Sequence, residues 1–278
     1  MGAVIIRMRR RSRSRRKTSR SHRTYVSLSD EEKGRWALIS QFSLFHGGPV
    51  FFGLPPDKSR SPKISNGTMT FIDLGQGPIG ITCSHVIQGY REKLRDDSGI
   101  IFQIGQDLRF NPLEYLISDN PRLDLATFDL RDGRLAKALS TEPPGNLCWR
   151  PKVWPPSMVA EGDVIMSLGG FPGVLRMPIS WDEIMFAAVT HGMSPVTSAT
   201  DEYFVCRFER ESWINVSGAP ESSLEFNDFG GMSGGPVFIA RESYLEFVGV
   251  ISRYGSTFDL LHVALARFVN PDGTITEN

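Results

Sequence analysis

A chain of 278 residues is long enough for one large domain or two small ones, and 40% apolar with 22% charged residues provides a real core, which excludes the fibrous and wholly disordered classes. The formal net charge of zero hides an asymmetry: residues 1–23 carry nine Arg and one Lys and no acid, leaving 21 basic against 31 acidic residues, a charge of −10, on the rest. Three cysteines without CxxC spacing exclude a disulfide framework and a zinc site, and five histidines without an HxxxH pair give no metal site.

The N-terminal stretch has no apolar face and is expected to form a disordered basic arm over 1–35. Within it, 7–23 is a candidate for weak contact with nucleic acid or another anionic surface through counterion release. No aromatic precedes Tyr25 to stack on bases, so the plainer reading is a solvated tail, or an upstream start codon with initiation further in. The "AVII" run is too short for a secretory signal, position 6 is Ile6 where a myristoylation pattern needs Ser or Thr, and no 18-residue apolar run exists. The expectation is a cytoplasmic protein without a membrane span, with organellar import as the alternative.

After the arm, short apolar or alternating runs recur between turn residues. A first set comprises "ALISQFSLF" (37–45), "TMTFIDL" (68–74), "PIGITCS" (78–84), "GIIFQIG" (99–105) and "DLATFDL" (124–130). A second comprises "GDVIMSLG" (162–169), "EIMFAAVTHG" (183–192), "EYFVCRFER" (202–210), "GPVFIA" (235–240), "EFVGVIS" (246–252) and "LLHVALA" (260–266). Such spacing predicts antiparallel all-β structure, with two six-stranded barrels of about equal size over 36–140 and 161–278. The Pro-rich segment 141–160 between them reads as a surface linker, with Trp149 and Trp154 as hydrophobic anchors.

The stretch "DFGGMSGGPVF" (228–238) crowds four glycines around Ser233. Glycine is needed where a Cβ is forbidden or something must approach closely. A serine hydroxyl becomes a nucleophile only when a base takes its proton, and histidine titrates in the right range. The developing oxyanion is best met by backbone N–H groups, here those of Gly231 and Ser233, with Gly234 and Gly235 keeping side chains out of the substrate's way. His85 ends the apolar run "GPIGITCSH", and Asp124 opens "DLATF" as the group to orient the imidazole. Asp119, Asp129 and Asp228 compete for that role. Cys83 reads as a small buried hydrophobe, and His262 as a core or edge residue.

Taken together, "GMSGGP" (231–236), "TCSH" (82–85), "DLATF" (124–128) and "GDVIMSLGGFPG" (162–173) resemble the motifs of chymotrypsin-fold (trypsin-like) serine peptidases, of the bacterial type that includes the HtrA/Deg proteases. The resemblance covers roughly 38–270. It implies a His85–Asp124–Ser233 triad, an acyl-enzyme route without cofactor, and a polypeptide substrate. It places Asn227 near the floor of the specificity pocket, so a charge-based preference for Arg or Lys is not expected. It also places Ser252, Arg253 and Tyr254 on the strand "FVGVISRYG" that lines the substrate, where the last two would narrow the pocket. Met232 stands where the digestive enzymes have an Asp that pairs with a newly cut N-terminus, so activation by such cleavage is not expected. The chain ends shortly after the last strand, implying no PDZ-like module. The alternative from another class is a catalytically silent peptide-binding module on the same fold.

Overall fold

The computed structural model describes residues 29–55, 63–105, 108–133, 135, 148–180, 182–208, 214–215 and 228–277. The candidate contact region 7–23, residues 141–147 of the inter-unit segment, and Asn227 lie outside the described residues.

The description opens on helix α1 (Asp30–Ser40), so residues 30–35, expected as the end of the arm, are helical. Glu31 in the first turn favours that helix end and pairs with Arg35 one turn on, at 2.7 Å. A 3₁₀ turn follows at Gln41–His46. The run 37–45, expected as a strand, is therefore helical. Its docking explains why: Ser167 Oγ donates to Ser40 O at 2.7 Å and accepts from Ser43 N at 2.8 Å, so the helix end is satisfied by the second unit and not by a strand ladder.

Seven antiparallel strands make the first unit: β1 (Gly47–Gly53), β2 (Ile64–Asp73), β3 (Pro78–Thr82), β4 (Ile101–Ile104), β5 (Leu108–Arg109), β6 (Leu116–Asn120) and β7 (Leu125–Asp129), in the order β5-β4-β1-β2-β3-β7-β6. Helix α2 (Ser84–Asp96) connects β3 to β4. Strand β1 escapes a sequence reading because "GGPVFFG" looks like a turn. Pro49 is tolerated because Val50 already pairs with Ile104 at the end of β4, so its missing N–H faces no strand. The sheet curls without closing: no pairing joins β5 to β6 among the described residues, and a two-residue β5 offers too few groups to bridge the gap.

The second unit holds β8 (Val164–Gly170), β11 (Val189–His191), β12 (Ser194–Ala199), β13 (Tyr203–Arg207), β14 (Ile214–Asn215), β15 (Pro236–Ala240), β16 (Leu245–Gly255) and β17 (Leu260–Leu265); a separate hairpin, β9 (Arg176–Pro178) with β10 (Ile184–Phe186), stands between β8 and β11. Because β8 pairs with both β15 and β12, the circuit β8-β15-β16-β17-β13-β12 closes into a six-stranded antiparallel barrel. The fold is all-β: a curled, open seven-stranded sheet stands where a six-stranded barrel was expected over 36–140, and a closed six-stranded barrel follows, as expected over 161–278.

One cluster of buried apolar side chains runs through both units, including Phe71 and Phe128 from the first and Phe204 and Phe238 from the second. Each such ring contributes roughly 1.5–3 kcal/mol by burial. The seam is made by Phe42, Trp149 and Phe238, whose rings meet edge-on at centroid distances of 5.0–5.4 Å. Trp149 also hydrogen-bonds β2 through its backbone, donating to Phe71 O and accepting from Asp73 N. Trp154 stacks on Phe247 and donates its indole N–H to Val269 O at 2.8 Å.

Candidate active site

His85 lies in the first turn of α2, directly after β3. The helix runs for 13 residues because Val86, Ile87 and Tyr90 form an apolar stripe against the sheet. Asp124 immediately precedes β7 and takes φ +54°, a left-handed conformation that Asp tolerates better than most residues. Strands β3 and β7 pair directly, with Thr82 opposite Ala126, so the residues beyond their ends converge. His85 Nδ1 lies 2.9 Å from both carboxylate oxygens of Asp124, and the His85 backbone N–H donates to Oδ1 at 3.1 Å. Ser252 Oγ donates to Oδ2 at 2.8 Å. Burial opposes the Asp124 charge, but the bonds from His85 and Ser252 outweigh it and hold the carboxyl below the usual carboxylate range. This geometry commits Nδ1 to the aspartate and leaves Nε2 for other chemistry.

Of the competing acids, Asp119 binds Ser84 Oγ at 2.5 Å and the Arg91 guanidinium. Asp129 pairs with Arg131, and Asp228 accepts from Gly230 N. Among the described residues none of these has a hydrogen bond or ion pair with His85. Cys83 is fully buried and donates to Ile251 O. Burial first, and the Asp124 charge second, push its thiol well above the ordinary range. Cys83, His85 and Asp124 offer ligand atoms within 4.8 Å of one another. Nδ1 and the carboxylate already engage each other and the thiol donates to Ile251 O, so all three are committed to protein partners.

Ser233 sits on the loop entering β15. Its Oγ donates to Ser252 O at 3.2 Å, and no hydrogen bond joins it to His85 among the described residues. The loop is strapped to the first unit: Thr68 N donates to Ser233 O at 2.8 Å, Thr70 Oγ1 to Gly234 O at 2.8 Å, and Thr68 Oγ1 to Gly231 O at 2.8 Å. Gly231 has φ +105°, and a Cβ there would lie 2.3 Å from Asn66 Nδ2. Gly234 has φ +92°, and its Cβ would lie 1.9 Å from Thr68 O. Gly234 and Gly235 therefore serve close backbone packing against β2 and β8, which replaces the substrate-clearance role suggested by sequence. Met232 is fully buried in the apolar core, with no charge to neutralise.

The peptide between Gly230 and Gly231 is pinned: Gly173 N donates to Gly230 O at 2.6 Å. A trans peptide points its N–H opposite its C=O, so the Gly231 N–H faces away from Gly173. Among the described residues neither Gly231 N nor Ser233 N has an acceptor.

The pocket residues separate. Ser252 sits at a register shift in β16 between Ile251 and Arg253, and its hydroxyl donates to Asp124. Arg253 is exposed. The Tyr254 ring packs against Phe229 at 4.3 Å, its hydroxyl bonds Asp259, and Phe208 completes a three-ring cluster beside the serine loop. Asn66, Thr68 and Thr70, which help hold the serine loop in place, carry no local sequence signal because their partners lie more than 100 positions away, whereas Gly173 closes the motif at 162–173.

No protein-family profile matches the chain, and no curated protein does. Among solved structures it is similar to the active form of the Rv3671c protease from M. tuberculosis, at 16% identity and TM-score 0.39 over 83% of this chain and 82% of that one. It is also similar to the protease Anisep from Arthrobacter nicotinovorans, at 16% identity and TM-score 0.40 over 79% and 89%. A third similar structure is the thermostable serine protease AL20 from an extremophilic microorganism, at 14% identity and TM-score 0.39 over 82% and 92%.

Proposed function

We propose that the chain is a serine endopeptidase acting through Ser233, His85 and Asp124. The observation that carries this reading is the set of bonds that fixes His85 Nδ1 on Asp124 and Asp124 in turn on Ser252 Oγ. In the reaction, Ser233 Oγ turns from Ser252 O toward His85 Nε2, gives up its proton there, and attacks a peptide carbonyl. Asp124 keeps the imidazole in the tautomer with Nδ1–H and stabilises the imidazolium. The N–H groups of Gly231 and Ser233 receive the oxyanion, each worth about 3–4 kcal/mol. His85 then protonates the departing amine, and water resolves the acyl-enzyme by the same route in reverse. The extended substrate fits the edge of β16 at 252–255, where no described strand pairs on the side facing the serine loop.

The same edge supports a second reading, a silent module that binds extended peptides, and the Ser233–Ser252 bond favours it over an engaged nucleophile. A fluorophosphonate probe separates the two, since it reacts with a serine that a base has activated. Labelling of the wild type that disappears in Ser233→Ala and His85→Ala is the expected result. A folded wild type that takes no label would leave the binding module.

A further inference from the structure

The segment just after β8, residues 171–176, touches both the serine loop and the first unit without belonging to the proposed triad. Asn66 Nδ2 donates to Phe171 O at 2.7 Å. Arg176 Nε donates to Gly173 O at 2.8 Å, and Arg176 Nη1 to Ile64 O at 2.6 Å. Gly173 in turn donates to Gly230 O at 2.6 Å. The guanidinium thus joins the start of β2 to the residue that fixes the Gly230–Gly231 peptide. It is part-buried and forms no ion pair among the described residues. A cation held only by carbonyl oxygens is costly to desolvate and has no acid to offset it, so simple surface solubility does not account for its place. Arginine suits the task because its planar fork can meet two acceptors at once, which lysine cannot.

We propose that Arg176 is a positioning residue that keeps the Gly231 N–H turned toward the developing oxyanion. The inference rests on the serine-peptidase reading for its functional meaning. The alternative orientation of the Gly230–Gly231 peptide would turn the carbonyl into the site and remove one of the two donors. The bond from Gly173 opposes that rotation, and Arg176 and Asn66 hold Gly173 and Phe171 where the bond can form. The first unit thereby helps set the chemistry of a loop in the second, through residues separated from it by more than fifty positions.

The test uses the full chain and a fluorophosphonate probe, with labelling kinetics resolved into a binding constant and a labelling rate constant. Arg176→Ala is expected to lower the rate constant by about 10- to 100-fold, below the loss for deleting a donor outright, while the binding constant changes less than about twofold. Arg176→Lys, which keeps the charge but not the fork, is expected to recover part of the loss. A purely structural role would lower the melting temperature without this split. Wild-type kinetics in a folded Arg176→Ala would overturn the inference. If that variant does not fold, Asn66→Ala carries the same expectation and the same refutation. A crystal structure of the variant gives a readout independent of turnover: a Gly230 carbonyl still on Gly173 N would sink the idea, and a rotated peptide would support it. Should the wild type take no label, the peptidase reading falls and the peptide orientation alone decides the role of Arg176.

Discussion

Asp124 shows how much of the site depends on single hydrogen bonds. Its carboxyl is held below the ordinary range against the cost of burial, so the folded state binds that proton more weakly than the unfolded chain. A depressed carboxyl adds stability above its unfolded value of 3.8, and that stability is lost as pH falls through the lower folded value. Calorimetry across this acid range should show a shallower decline in melting temperature for Asp124→Asn than for the wild type; parallel profiles would contradict the assignment. Gly234→Ala should cost at least about 3 kcal/mol, read from the urea midpoint, because the left-handed backbone and the 1.9 Å approach to Thr68 O act together. His85, Asp124 and Ser233 stand out in the sequence as candidates because each lies in a short local motif, and the structure adds the bond between the first two. Ser252 was legible as a neighbour of the site but not in its role, since the register shift in β16 that re-aims it leaves no mark on composition or alternation.

Helix α2 carries the proposed base, and its placement depends on a clamp at its first turns. Asp119 on β6 receives Ser84 Oγ and the Arg91 guanidinium, and Gln88 Nε2 donates to Ser84 Oγ at 3.0 Å. The Asp119 side chain is only 12% exposed, so its removal leaves two donors poorly satisfied. Asp119→Ala should lose about 2 kcal/mol of stability by chemical denaturation, and fluorophosphonate labelling should slow as His85 loses its fixed position. Unchanged stability and labelling would show that α2 is held by its apolar stripe alone. Helices were the least legible elements. The stripe of α2 is short and ends in charged residues, and the apolar run 37–45 carries no period that distinguishes a docked helix from a buried strand. Strands β7 and β13 were legible as short apolar runs bounded by turn residues, since three or more consecutive positions of each are buried.

At the scale of the molecule the two units behave as partners in one site. Thr68, Thr70 and Asn66 of the first unit hold the serine loop and Phe171 of the second, and Trp149 fills the seam. Trp149→Ala should therefore destabilise the whole chain by about 3–5 kcal/mol while leaving a single calorimetric transition. Two resolved transitions would mean the units fold independently. The all-β, two-unit plan was legible from the spacing of strands on either side of a Pro-rich segment. The open edge of the first sheet was not, because closure depends on which distant strands meet.

Cys83 lies beneath His85 in the first unit and Cys206 on β13 in the second, and both thiols are fully buried. They give the chain a pair of internal clocks. A thiol-reactive dye can reach either sulfur only when its surroundings open, so the rates at which the two are modified report how often each half loosens. Matching rates would mean that both halves breathe in one event; a faster Cys83 would locate the weaker half beside the curled, unclosed sheet.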